Sequence, residues 1–176
     1  MTFTNDLFSQ LPEDSKIWIH VASRVLSSSE SNNLSATVVH FSGEWTSHQR
    51  PVLSDFILID DQILVIGAFV SDGDLSGCGI DKHEHILDAF ATECDFEWVG
   101  PLSITYRTPD GVLQNTTRSE FSKVVLSNNL LDSTPVLDRG ISDLTSARSG
   151  VERPANQSWH GKHFPFLVAS PDGYLD

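Results

Sequence analysis

Between Asp55 and Val70 the chain is apolar except around Asp60–Asp61–Gln62. Two apolar runs separated by a short polar break read as a hairpin of two strands. Strands of this kind need something apolar to cover them, and the flanking sequence offers it. Lys16 to Val21 alternates, with Ile17, Ile19 and Val21 on one face and Trp18 and His20 on the other, so it reads as a first strand. Ser27, Ser28 and Ser29 offer helix caps, and Leu34, Val38, Phe41 and Trp45 recur at helical spacing to about Trp45. A Gly- and Asp-rich loop follows the hairpin. Beyond it Ile80, His83, Leu87, Phe90, Ala91 and Cys94 share one helical face, and Asp81 with Glu84 resembles a capping box.

Leu102, Ile104 and Tyr106 alternate before the turn Thr108–Pro109–Asp110–Gly111, and Val112–Thr117 returns as a second hairpin. Thr117 and Glu120 form another capping-box pattern that opens a short helix, and Pro135–Leu137 reads as a last strand. The order of elements predicts an α+β fold. A ferredoxin-like split β-α-β core carries an added hairpin and short helix, with both long helices on one face of the sheet. After Asp138 regular periodicity is lost. The expected organisation is a single domain over 1–176, with a core of about 15–137 and an irregular, extended C-terminal tail, 138–176. The aromatic stretch Ser158–Phe166 of that tail is expected to dock back on the core.

Charge narrows the function classes. The net charge is −13, from 24 acidic and 11 basic residues, and no run of Lys or Arg occurs. Such a surface repels phosphate backbones and anionic lipid, so no nucleic-acid partner is expected. No apolar run approaches the ~20 residues of a membrane helix, so no membrane insertion is expected. The first residues lack the pattern of a secretory signal, and Cys78 and Cys94 lack zinc-knuckle or CxxC spacing, which points to a reducing, cytoplasmic location.

The segment most suggestive of chemistry is Ser76–Asp81, SGCGID, in which Gly77 and Gly79 flank Cys78 before a helix. Glycines let backbone amides approach a ligand, and the positive end of a helix favours a thiolate. Cys78 is therefore a candidate nucleophile, with Asp81 able to orient a base. The plainer alternative is a tight strand-to-helix turn around a small cysteine. His48 and His160 are candidate partners, and Trp45 and Trp159 candidate walls of a ligand site. No metal site is assigned: His83 and His85 are two residues apart and face different ways on a helix, and Asp72–Gly73–Asp74 lacks the later ligands of a calcium loop. No cofactor is assigned either. No GxxxxGK[ST] loop is present, so Walker-type nucleotide binding is not expected.

Three motifs, W-T-S-H at Trp45–His48, SGCGID at Ser76–Asp81 and S-W-H at Ser158–His160, together resemble a bacterial family without an assigned activity, whose members often carry the label "ABC transporter ATPase". The resemblance spans about 11–164. It implies a shared fold and a set of candidate residues, while the ATPase label has no support in these motifs. A fainter likeness, over the hairpin, short helix and strand of 100–137, is to GYF-type peptide-binding modules. The sequence thus points to a small-molecule-binding protein or thiol-dependent enzyme with a site around Cys78. The alternative is a non-catalytic adaptor that binds a protein partner through its C-terminal half.

Overall fold

The computed structural model describes residues 7–71, 73–128 and 130–167. In chain order the elements are β1 (Lys16–Val21), α1 (Ser28–Glu44), β2 (Thr46–Ser47), β3 (Arg50–Pro51), β4 (Leu53–Ile59), β5 (Ile63–Phe69) and α2 (Gly77–Glu93). There follow β6 (Ile104–Arg107), β7 (Leu113–Thr116), α3 (Arg118–Ser127), β8 (Pro135–Leu137), α4 (Leu144–Arg148), β9 (Glu152–Pro154) and α5 (His160–His163). The fold is mixed α+β with antiparallel sheets, and no helix among the described residues is long and apolar enough to cross a membrane. The chain divides into two compact units, one built on residues up to Val99 with Ile141–Ser149, the other on Gly100–Gly140 and the chain from Gly150.

The first unit holds a three-stranded sheet in the order β1-β5-β4. β4 and β5 are the arms of the expected hairpin, paired from Leu53↔Phe69 to Ile59↔Ile63. Asp60 and Asp61, with φ of 51° and 52°, turn it in a three-residue connection closed by Gln62, whose N–H donates to Ile59 O at 3.0 Å. β5 is central, and Ile63–Ala68 are buried throughout, because the sheet is covered on both faces. One face carries Leu64, Ile66 and Ala68 and packs in one cluster with Leu34 and Val38 of α1 and Leu87, Phe90 and Ala91 of α2. Both long helices therefore lie on the same side, as expected. On the other face Gly67 is pressed by Phe8 and Leu11, where a Cβ would come within 2.7 Å of both side chains. α4 docks along β1 through the bonds Ile17 N–H to Ser142 O (3.0 Å) and Leu144 N–H to Ser15 O (3.1 Å).

The next strand after α2, Ile104–Arg107, does not join this sheet. β6 pairs with β7 and β8 in the second unit, in the order β7-β6-β8-β9. The free edge of β1 is met instead by the segment at Trp98, bridged to Ala22, with Val99 N–H donating to Val21 O at 2.8 Å. The core of the second unit gathers Ile104, Tyr106, Phe121, Val125, Val136 and Phe164. Arg107 grips the buried carboxylate of Glu152 with two nitrogens, at 2.6 and 3.0 Å. The stretch beyond Asp138 contains α4, β9 and α5, each too short to show a period in sequence.

Candidate functional site

In the first unit, two of the three sequence motifs meet. β2 and β3 form a small hairpin whose turn residues, His48 and Gln49, have φ of 50° and 65°. Neither is glycine, so each left-handed residue costs on the order of 1 kcal/mol that the surrounding contacts must offset. Those contacts reach α2. The indole of Trp45, 2% exposed, donates from Nε1 to the Gly79 carbonyl at 3.0 Å. Ser47, also buried, accepts from the Ser76 amide at 2.9 Å. At Gly79 a Cβ would meet Thr46 O and Trp45 Nε1 in ordinary contact, both at 3.5 Å, and would be tight only against the capping hydroxyl of Ser76, at 3.3 Å.

Ser76 rather than Asp81 caps α2. Its Oγ accepts from Gly79 N–H at 3.1 Å, and the helix starts at Gly77. A serine hydroxyl reaches the third amide of the helix from this position, so the two glycines are absorbed into the first turn. Asp81 lies inside the helix and is exposed. Cys78 sits in the first turn and is exposed, with Gly77 beside it. A cleft of about 340 Å³ lies between hairpin and loop, lined by Ser47, His48 and Arg50 on one side and Val70, Gly73, Asp74, Leu75 and Ser76 on the other. His48 is in its wall. Cys78 and Asp81 are not among the lining residues.

Trp159 and His160 belong to the second unit. His160 is 2% exposed and stacks on Trp159 with ring centroids 3.9 Å apart. Its Nδ1 is hydrogen-bonded to Ser158 Oγ at 3.0 Å, and burial lowers its pKa to about 4, against the pull of Asp138. Arg118 lies over the Trp159 ring at 5.4 Å. A cleft of about 590 Å³ near the start of α3 is lined by Leu102, Ser103, Arg118, Ser122, His163 and Phe164, among others.

The first unit also contains a buried grouping absent from the sequence reading. His83 of α2 is 1% exposed and His20 of β1 is 8% exposed, with ring centroids 5.1 Å apart. Trp45 stacks on His83 at 5.4 Å with 16° between planes, Trp18 tilts against it at 5.5 Å, and Trp98 meets His20 edge-on at 5.6 Å. Among the described residues neither ring nitrogen of His83 has a hydrogen-bond partner. Leaving a buried polar group so costs about 1–3 kcal/mol. Glu84 Oε1 comes within 3.6 Å of His83 Nδ1, too far for a hydrogen bond. Burial lowers the His83 pKa to about 4, and burial with the nearby Asp88 charge raises that of Glu84. Period two puts Trp18 and His20 on one strand face, and period 3.6 puts His83 on the apolar face of its helix. That the two faces dock histidine to histidine depends on tertiary packing.

No family model matches the chain, and no match occurs among the curated proteins or the solved structures.

Proposed function

We propose that the protein binds a small polar molecule in the cleft between the β2–β3 hairpin and the loop entering α2, with Cys78 as an accessible thiol beside it. The observation that carries this reading is the join between the two motifs. Trp45 to Gly79 and Ser76 to Ser47 hold the hairpin against the helix entrance and leave a cleft between them. Its volume of about 340 Å³ lies at the small end of ligand pockets. Its walls offer a cation at Arg50, an anion at Asp74, an imidazole at His48 and hydroxyls at Ser47 and Ser76. The strained turn at His48 and Gln49 is the kind of feature that clusters at ligand sites.

The test is a ligand-observed NMR screen of small polar metabolites on the intact chain, repeated with His48→Gly, a residue suited to φ of 50°. Hits that weaken at least tenfold in His48→Gly support the reading, and hits that bind both proteins equally overturn it. The thiol part is tested by alkylation. Cys94 is half-buried, and burial, then the charges of Glu30 and Glu93, push its thiol pKa up. Cys78 should react several-fold faster at pH 7, and equal rates would remove Cys78 from the reading.

The second reading is an adaptor that binds a protein partner through the second unit. It is favoured by the open cleft beside α3, with Leu102 88% and Trp159 36% exposed. The succession β6, β7, α3, β8 is that of the GYF-type likeness. We also propose, on the three motifs, kinship with the bacterial family labelled "ABC transporter ATPase". The order β1-β5-β4 with α1 supports reading this half as a split β-α-β of ferredoxin-like type. The charge of −13 supports a protein without a nucleic-acid partner, and two cysteines without disulfide or zinc spacing support a reducing, cytoplasmic location.

A further inference from the structure

We propose that His20, His83 and Glu84 form a site for one divalent transition-metal ion, zinc foremost. The site is separate from the cleft at His48 and does not depend on it. One ligand atom from each residue lies within 4.8 Å of the other two. His83 Nδ1 and Glu84 Oε1 are 3.6 Å apart, and a tetrahedral ion with bonds of about 2.0–2.1 Å sets its ligands roughly 3.4 Å apart. That pair already stands near the edge length of a zinc tetrahedron. The His20 ring needs only a small approach to complete the face.

Chemistry selects the ion. Two imidazoles and one carboxylate suit zinc and its first-row neighbours, whereas calcium and magnesium prefer all-oxygen sites. Neither cysteine belongs to the group, which argues against a soft monovalent ion. The independent pointer to a ligand is His83 itself. It is buried, lies against Glu84 and His20, and among the described residues lacks a hydrogen-bond partner on either ring nitrogen. A residue placed there for packing alone would be better served by phenylalanine. A neutral imidazole is the form that binds a metal. Trp45, stacked on the ring, fixes its orientation. The aromatic walls of Trp18, Trp45 and Phe41 enclose the ring, while the Glu84 side chain, 45% exposed, leaves a way in. Three protein ligands leave a fourth position on the ion for water.

The test uses the full chain freed of metal with a chelator and then titrated with cobalt(II), whose visible absorption reports coordination. The expected result is a saturable visible band at one cobalt per chain, erased by adding zinc. Glu84→Gln should weaken cobalt binding at least tenfold while the circular dichroism of the fold is unchanged. His83→Phe should abolish the band and raise the melting temperature of the metal-free protein. His85→Ala, an exposed neighbour on the same helix, should leave the titration unaltered. A native protein with no saturable band, or Glu84→Gln and His83→Phe proteins that bind cobalt as well as native, would overturn the proposal. A band lost only in His85→Ala would assign binding to the surface instead and overturn it equally.

Discussion

His83 and His160 are buried to nearly the same degree, 1% and 2% exposed, and each lies against a tryptophan. Burial lowers both pKa values to about 4. They differ in what their nitrogens touch. His160 bonds Ser158, and its own backbone N–H donates to the same hydroxyl at 3.2 Å, so the S-W-H segment is a closed local network. The His83 ring has aromatic faces around it and, among the described residues, no hydrogen bond to either nitrogen. The comparison teaches that burial and a depressed pKa do not by themselves mark a functional histidine. Unmet bonding capacity separates the two.

The largest expected effect distinguishes their walls. Trp45→Ala removes a buried indole, its bond to Gly79 and the stack on His83, and should cost about 3–5 kcal/mol in urea unfolding. Trp159→Ala removes a ring that is 36% exposed and should cost roughly 1–2 kcal/mol. Equal losses would break the distinction.

Next comes acid. The folded pKa of His160 lies below the ordinary value, so protons bind the unfolded chain preferentially. Its contribution is present in full above pH 6.5, is lost as pH falls, and is gone below about 4. The whole change is on the order of 3 kcal/mol. Unfolding measured from pH 7 to 4 should show a shallower decline for His160→Gln than for native protein. Parallel curves would show that His160 is reached by protons in the fold.

The smallest effect is the sharpest. Ser158→Ala leaves His160 Nδ1 without its partner and should cost about 1 kcal/mol. Glu84→Gln breaks no hydrogen bond to His83 and should shift the metal-free protein by less than about 0.5 kcal/mol. A large loss on Glu84→Gln would mean that the carboxylate already serves His83 as a structural partner.

Local signals in the sequence served well. The alternation of Lys16–Val21 is β1 residue for residue. The break at Asp60–Asp61 is the β4–β5 turn, and Thr117 with Glu120 opens α3. Each of these rests on neighbours within a few residues. What depended on distant partners was not legible. Alternation identifies Ile104–Arg107 as a strand but carries no information about which sheet edge it joins. The cap of α2 went to Ser76 because Trp45 and Ser47, some thirty residues earlier in the chain, stabilise a helix start that local pattern places at Asp81. For the candidate site, the sequence identified His48 and Trp45 but not that Ser47 joins them to the helix. It placed His83 on the apolar face of its helix and His20 with Trp18 on the strand face opposite Ile17, Ile19 and Val21, without revealing that those two faces meet.

The placement of the indoles also makes the protein its own optical instrument. Of the four tryptophans, Trp18, Trp45 and Trp98 lie in the first unit, and Trp159 lies in the second. Trp18 and Trp45 are 6.2 Å apart and inclined by 55°, a geometry in which two excited states couple and give a signed near-ultraviolet circular dichroism band. That band belongs to the first unit alone. A chain whose only indole is Trp159 would emit from the second unit alone. The two halves therefore carry separable spectroscopic labels, and their melting can be followed independently without attaching a dye.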